Sequence, residues 1–199
     1  MKIVDSDNLI PDHSILDRVV KTHPFSSNLC LKIAALTVAN DDSEIGEPRI
    51  SFNNETLEAI LYVAPNLYQL KNFGYILYHE FGHVADRLNP RFGYSEPKRA
   101  ALSESENIMF MELWNVYIDA RLNHYGHFRL TKIAMGGFCR IDGKLQRAPF
   151  SIEGKLLRHI SCLESGNIDN ADQIVRNIWE NPLIFRSYDD LIYVIRKKE

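Results

Sequence analysis

Residues 73–88 read FGYILYHEFGHVADRL, and how this stretch coils decides the fold. Together with the residues just before it, Leu67, Leu70, Phe73, Leu77, Phe81, Val84 and Leu88 recur every three or four positions. That is the spacing of an α-helix with one buried stripe. Pro65 stands near the start, where a first-turn proline costs no hydrogen bond, and Asn89-Pro90 ends the run. The segment is predicted as the strongest helix of the chain.

Downstream, residues 90–102 (PRFGYSEPKRAAL) hold two prolines and a glycine and read as a loop. Ser103-Glu104-Ser105-Glu106 then fits a capping box, with a hydroxyl at the cap and Glu three residues on. It opens a second long helix predicted to run to about Tyr125, with Gly126 just past its end. Met135-Gly136-Gly137 and Asp142-Gly143 mark turns, and helices are expected over Ser151–Cys162, Ala171–Trp179 and Tyr188–Arg196. Upstream, residues 13–23 place Ile15, Leu16, Val19 and Val20 on one side of a short helix that Pro24 stops. Leu29–Ala39 and Pro48–Phe52 read as strands, and Asn54–Val63 as a short helix with Leu57, Ile60 and Leu61 on one side. The fold class is therefore α+β and mainly helical: a small N-terminal sheet, two central helices and a helical C-terminal part.

Composition narrows the function. The 199 residues carry a formal net charge of -3, which gives no polyanion-binding signal, so nucleic acid is not an expected partner. No window is long and apolar enough for a transmembrane helix, and the N-terminal MKIVDSDNLIPDHS lacks a signal-peptide core, so no membrane partner is expected and a cytoplasmic location is. Cys30, Cys139 and Cys162 are odd in number and far apart. They form neither a disulfide framework nor a cysteine zinc site, and are expected as small core residues.

Inside the first long helix lies His79-Glu80-Phe81-Gly82-His83, an H-E-x-x-H sequence. Four-residue spacing on a helix puts both imidazoles on one face, a turn apart, where they can reach one ion. Glu80 lies beside such an ion, placed to take a proton from a bound water whose pKa zinc lowers towards about 7. Gly82 leaves the helix surface bare next to the site, at a cost of roughly 1 kcal/mol of helix propensity relative to Ala. Two His leave an ion under-coordinated, so a third ligand must come from elsewhere. The second long helix carries Glu112, Asn115, Asp119 and Asn123 as one polar stripe among apolar residues; the stripe faces either an ion or water. Asp86 shares the face of His79 and His83 and reads either as a hydrogen-bond partner of a ligand His or as a surface carboxylate beside Arg87.

The combination resembles the gluzincin branch of the zincin metallopeptidases, in which a helix following the H-E-x-x-H helix carries an acidic third ligand. More closely, Trp114-Asn115-Val116-Tyr117-Ile118-Asp119-Ala120-Arg121-Leu122-Asn123 resembles the W-N-x-x-x-D-x-x-[IL]-N signature of predicted bacterial and archaeal metallopeptidases. The likeness spans roughly residues 70–125. It implies a zincin-like core over residues 1–126 and leaves 127–199 as a helical extension packed on it. By the same likeness Asp119 is the leading third ligand, with Glu112 its rival because gluzincins proper use Glu, and Asn115 supports the site. Val84-Ala85-Asp86 follows His83 directly, so the longer metzincin spacing is absent.

Arg121, His124, His127, Tyr94 and Tyr117 are near the motif in sequence and are candidate oxyanion donors, although Tyr117 also suits the core and the two His suit a helix end. Zincins align an extended peptide on an edge strand, and residues 48–52 are the candidate. The expected activity is hydrolysis of a peptide or protein substrate with one Zn2+ per chain. The alternative is a non-catalytic zincin-like binding module or a structural metal site.

Overall fold

The computed structural model describes residues 1–41, 48–130 and 137–196. Its mixed α/β architecture, with seven α-helices and a small sheet among the described residues, agrees with the α+β reading. The chain falls into two compact units, Met1–Pro90 and Arg91–Glu199. The division falls between the two long helices. No helix among the described residues is long and apolar enough to cross a membrane.

The first unit is built on a four-stranded sheet of β1 (Lys2–Val4), β2 (Ala35–Asn40), β3 (Arg49–Asn53) and β4 (Glu58–Val63), in the order β1-β2-β4-β3. β1 with β2, and β2 with β4, run parallel; β3 pairs antiparallel with β4 and forms an edge. Leu36, Val38, Ala59, Leu61 and Val63 are buried at alternate positions, the pattern of a sheet with one face in a core. α1 (Ser14–Thr22) contributes Leu16, Val19 and Val20 to the buried set, and α2 (Phe73–Arg87) contributes Leu77, Phe81 and Val84.

Three sequence expectations change here. Asn54–Val63 is not a helix: Asn53 Oδ1 accepts the amides of Glu55 and Thr56 in a turn, and β4 follows. The spacing of Leu57, Ile60 and Leu61 suited a helix, but the period-two burial of Ala59, Leu61 and Val63 decides for a strand. Leu29–Ala39 opens with a 3₁₀ turn at Leu29–Leu31, and only its second half enters β2. α2 begins at Phe73, because Leu70 is extended and separates it from a 3₁₀ turn at Leu67–Gln69.

The second unit is centred on α4 (Glu104–His124), which packs against α5 (Ile152–Ser165), α6 (Ala171–Glu180) and α7 (Tyr188–Arg196). The capping box is present: Ser103 accepts the Glu106 amide, and Glu106 accepts the Ser103 amide. Phe92, Phe110, Trp114 and Tyr188 form an aromatic core. Within the expected loop, α3 (Glu96–Ala100) forms because Ser95 caps it and Pro97 sits in its first turn. Asp142 and Gly143 turn a hairpin of β5 (Phe138–Ile141) and β6 (Lys144–Arg147), both with positive φ as a two-residue hairpin turn requires. The expected turn at Met135-Gly136 lies outside the described residues. Of the three cysteines only Cys139 is buried; Cys30 and Cys162 are part-exposed.

Candidate functional site

In the first unit the site is carried by the middle of α2. The end of α1 fastens the preceding turn: a His23 ring nitrogen lies 2.8 Å from the Tyr78 carbonyl, and Thr22 Oγ1 lies 2.8 Å from the Tyr78 hydroxyl. One residue on, His79 and His83 lie edge to face, ring centres 5.3 Å apart, with Tyr75 edge-on to His79 on the other side. A nitrogen-bound zinc lies about 3.2 Å from each ring centre, so two imidazoles sharing a tetrahedral ion stand about 5 Å apart. The observed separation fits that requirement. His83 is buried, while His79 and Glu80 are partly exposed.

Glu80 reaches the sheet edge: its Oε2 accepts the backbone amide of Ile50 in β3 at 3.0 Å. Two turns later on the same side of α2, Arg87 donates to the Phe52 carbonyl at 2.8 Å. Asp86 is 1% exposed, which rules out the surface-carboxylate reading of that residue.

In the second unit the polar stripe of α4 is mixed in burial, with Asp119 its most covered member. Asp119 is fully buried and forms an ion pair with the equally buried Lys155 of α5. Glu112 Oε1 lies 2.6 Å from Nδ1 of His159, one turn after Lys155. Asn115 is half-buried, and Asn123 is exposed. The stripe is thus neither plain solvated surface nor an uncompensated carboxylate row, since α5 supplies a base for each of its two acids.

Burial pushes the His159 imidazole below its ordinary value, outweighing the pull of Glu112, which acts in the other direction. Burial by itself raises the Glu112 carboxyl, but the charge and hydrogen bond of His159, with Arg158 and Lys155 nearby, hold it below the usual value. Above the His159 titration the pair is a neutral imidazole whose Nδ1–H donates to a carboxylate, and the charge of His159 acts on Glu112 only once the imidazole is protonated. Nε2 of His159 is buried and has no hydrogen-bond partner among the described residues.

The other candidates all lie in the second unit. Arg121 lies over the Tyr117 ring at 3.9 Å, and Tyr117 is a core residue stacked on Phe92. His124 is exposed at the helix end, edge-on to Tyr125, and His127 is part-exposed. Tyr94 stacks on Trp114 and accepts from Arg99. Within each unit, no three or more His, Cys, Asp and Glu side chains among the described residues are grouped to hold an ion.

Sequence reasoning missed Lys155, His159 and the edge contact of Arg87. For the first two, an i, i+4 pair of bases on a predicted helix is the sole signal. Ile50 lies within residues 48–52, the candidate edge strand, but its bond to Glu80 runs through the backbone, which side-chain patterns do not reveal. Comparison with family models, curated proteins and solved structures gave no match.

Proposed function

We propose that this chain is a zinc-dependent peptidase in which His79 and His83 hold the metal and Glu80 is the general base. The observation that carries the reading is the His79–His83 geometry, 5.3 Å between ring centres one turn apart on α2, with Glu80 between them in sequence. A zinc ion bound there would supply Lewis acidity and an acidified water at neutral pH. Glu80 would take the proton of the attacking water and return it to the leaving amine. The family resemblance implies Asp119 as third ligand, with Glu112 as rival.

Metal content decides the first step. Elemental mass spectrometry on protein purified without a His tag or chelator is expected to give about one zinc per chain, lost in His83→Ala. Absence of retained metal, and of uptake at micromolar zinc, would sink the proposal. Parallel titrations of Asp119→Ala and Glu112→Ala identify the third ligand.

A second reading has its own support. Asp119 and Glu112 each already face a base of α5, which is what a non-catalytic scaffold with a purely structural stripe would contain. Glu80→Gln separates the two, because it keeps the metal in both and abolishes casein hydrolysis only if the chain is an enzyme.

A further inference from the structure

The outer edge of β3 is occupied by two side chains of α2, and they occupy it in the manner of a strand. In an antiparallel ladder alternate residues direct both amide and carbonyl towards the partner strand, and the residues between them direct both outward. Ile50 and Phe52 share one parity, and their bonds to α2 show which way they face: Ile50 N–H to Glu80 at 3.0 Å, Phe52 C=O from Arg87 at 2.8 Å. Both lengths are ordinary for a β-ladder. Glu80 stands where an added strand would place a carbonyl, and Arg87 where it would place an amide.

Resting on the peptidase reading, we propose that Glu80 and Arg87 are bridges that an extended peptide substrate displaces, so that the base is released only when the edge is filled. A peptide adding antiparallel to β3 exchanges the bonds one for one. Its carbonyl accepts the Ile50 amide in place of Glu80, and its amide donates to the Phe52 carbonyl in place of Arg87. The carboxylate and the guanidinium then leave the edge together. Two strand residues span about 7 Å, so a lone amide group reaches one position at most. The substrate class is therefore an extended peptide of three residues or more, and a small amide leaves a bridge in place.

The test uses the zinc-loaded full chain with casein as the extended substrate and a single-amide acyl anilide as the small one. Arg87→Met removes one bridge and keeps the apolar stem. It is expected to lower KM for casein about three- to tenfold, the worth of one hydrogen bond no longer displaced, with the effect falling on KM rather than kcat. Arg87→Lys, which keeps a donor, should restore the original KM. Hydrogen exchange supplies a readout independent of turnover: Glu80→Ala should speed exchange of the Ile50 amide at least tenfold while the ladder-bonded Ser51 amide is unchanged. Casein cleavage with an unaltered KM in Arg87→Met, or an Ile50 amide indifferent to Glu80→Ala, overturns the bridges alone. No cleavage of either substrate by the unmodified chain, with zinc bound, overturns the peptidase reading and the proposal with it.

Discussion

His159 Nδ1 and Glu112 Oε1 lie 2.6 Å apart on two packed helices, 47 residues apart in the chain. The imidazole is held neutral by burial, and the carboxylate is held ionised by its hydrogen bond and the cations around it.

Both groups therefore bind protons less readily folded than unfolded, and the sign of the pH dependence follows. The unfolded chain takes up a proton at His159 near pH 6.5 that the folded chain resists, so stability falls as pH drops below that value. Glu112 adds a second loss as pH falls through 4.5 towards its depressed folded value. Urea unfolding at pH 8, 6 and 5 should show this decline. His159→Gln, which keeps a donor for Glu112, should flatten the part between pH 6.5 and 5; an unchanged slope would count against a neutral His159.

Asp119 and Lys155 are an ion pair removed from water. Asp119→Asn removes the carboxylate charge that the buried ammonium faces, and a loss of about 3 kcal/mol of folding stability is expected. Asp119→Asn combined with Lys155→Met removes both charges and should regain most of it. Chemical denaturation of the two single variants and the double variant closes the cycle. A double variant no more stable than Asp119→Asn would show that the pair is not the source of the loss.

Leu57 turns the chain into β4 with φ of 56°, in the left-handed region where a branched side chain is strained by roughly 1 kcal/mol. Its side chain is 36% exposed, and relief of the strain is expected to outweigh the packing lost on truncation. Leu57→Gly should therefore raise the melting temperature by a few degrees. A lower melting temperature would mean that the apolar contact outweighs the strain.

The Cys162 thiol is pushed up to about 11, first by burial and then by the charge of Glu112, with Arg158 opposing. Against an ordinary thiol at 9.0, the thiolate at pH 8 is about a hundredfold scarcer. Iodoacetamide should label Cys162 correspondingly slowly, with the deficit vanishing above pH 11. Rapid labelling at pH 8 would contradict the environment described for α4 and α5.

The helices of the second unit were the most legible part of the sequence. The Ser103–Glu106 box, the Ser151 cap and the apolar spacing of Tyr188–Arg196 each state a helix start or face in local terms. β4 was not legible, because Leu57, Ile60 and Leu61 suit either period, and what selects the strand is pairing with β2 on one side and β3 on the other. The His pair and Glu80 could be read from spacing, since helical geometry alone brings two imidazoles together. The bases facing Asp119 and Glu112 could not, as Lys155 and His159 meet them only through helix packing. That Asp86 is buried also depends on what surrounds α2, which its place on the His79–His83 face does not reveal.

The topology of the first sheet also sets an order of events as the chain is made. β3 and β4 form a local hairpin, which closes in about 1–10 μs, whereas β1–β2 and β2–β4 are parallel and need crossover connections. At ribosomal speed roughly one to five seconds separate the synthesis of the end of β2 from that of β4. During that interval Leu36 and Val38 lack the central strand they pack beside, so the nascent chain presents an open apolar strand to whatever binds unfolded segments.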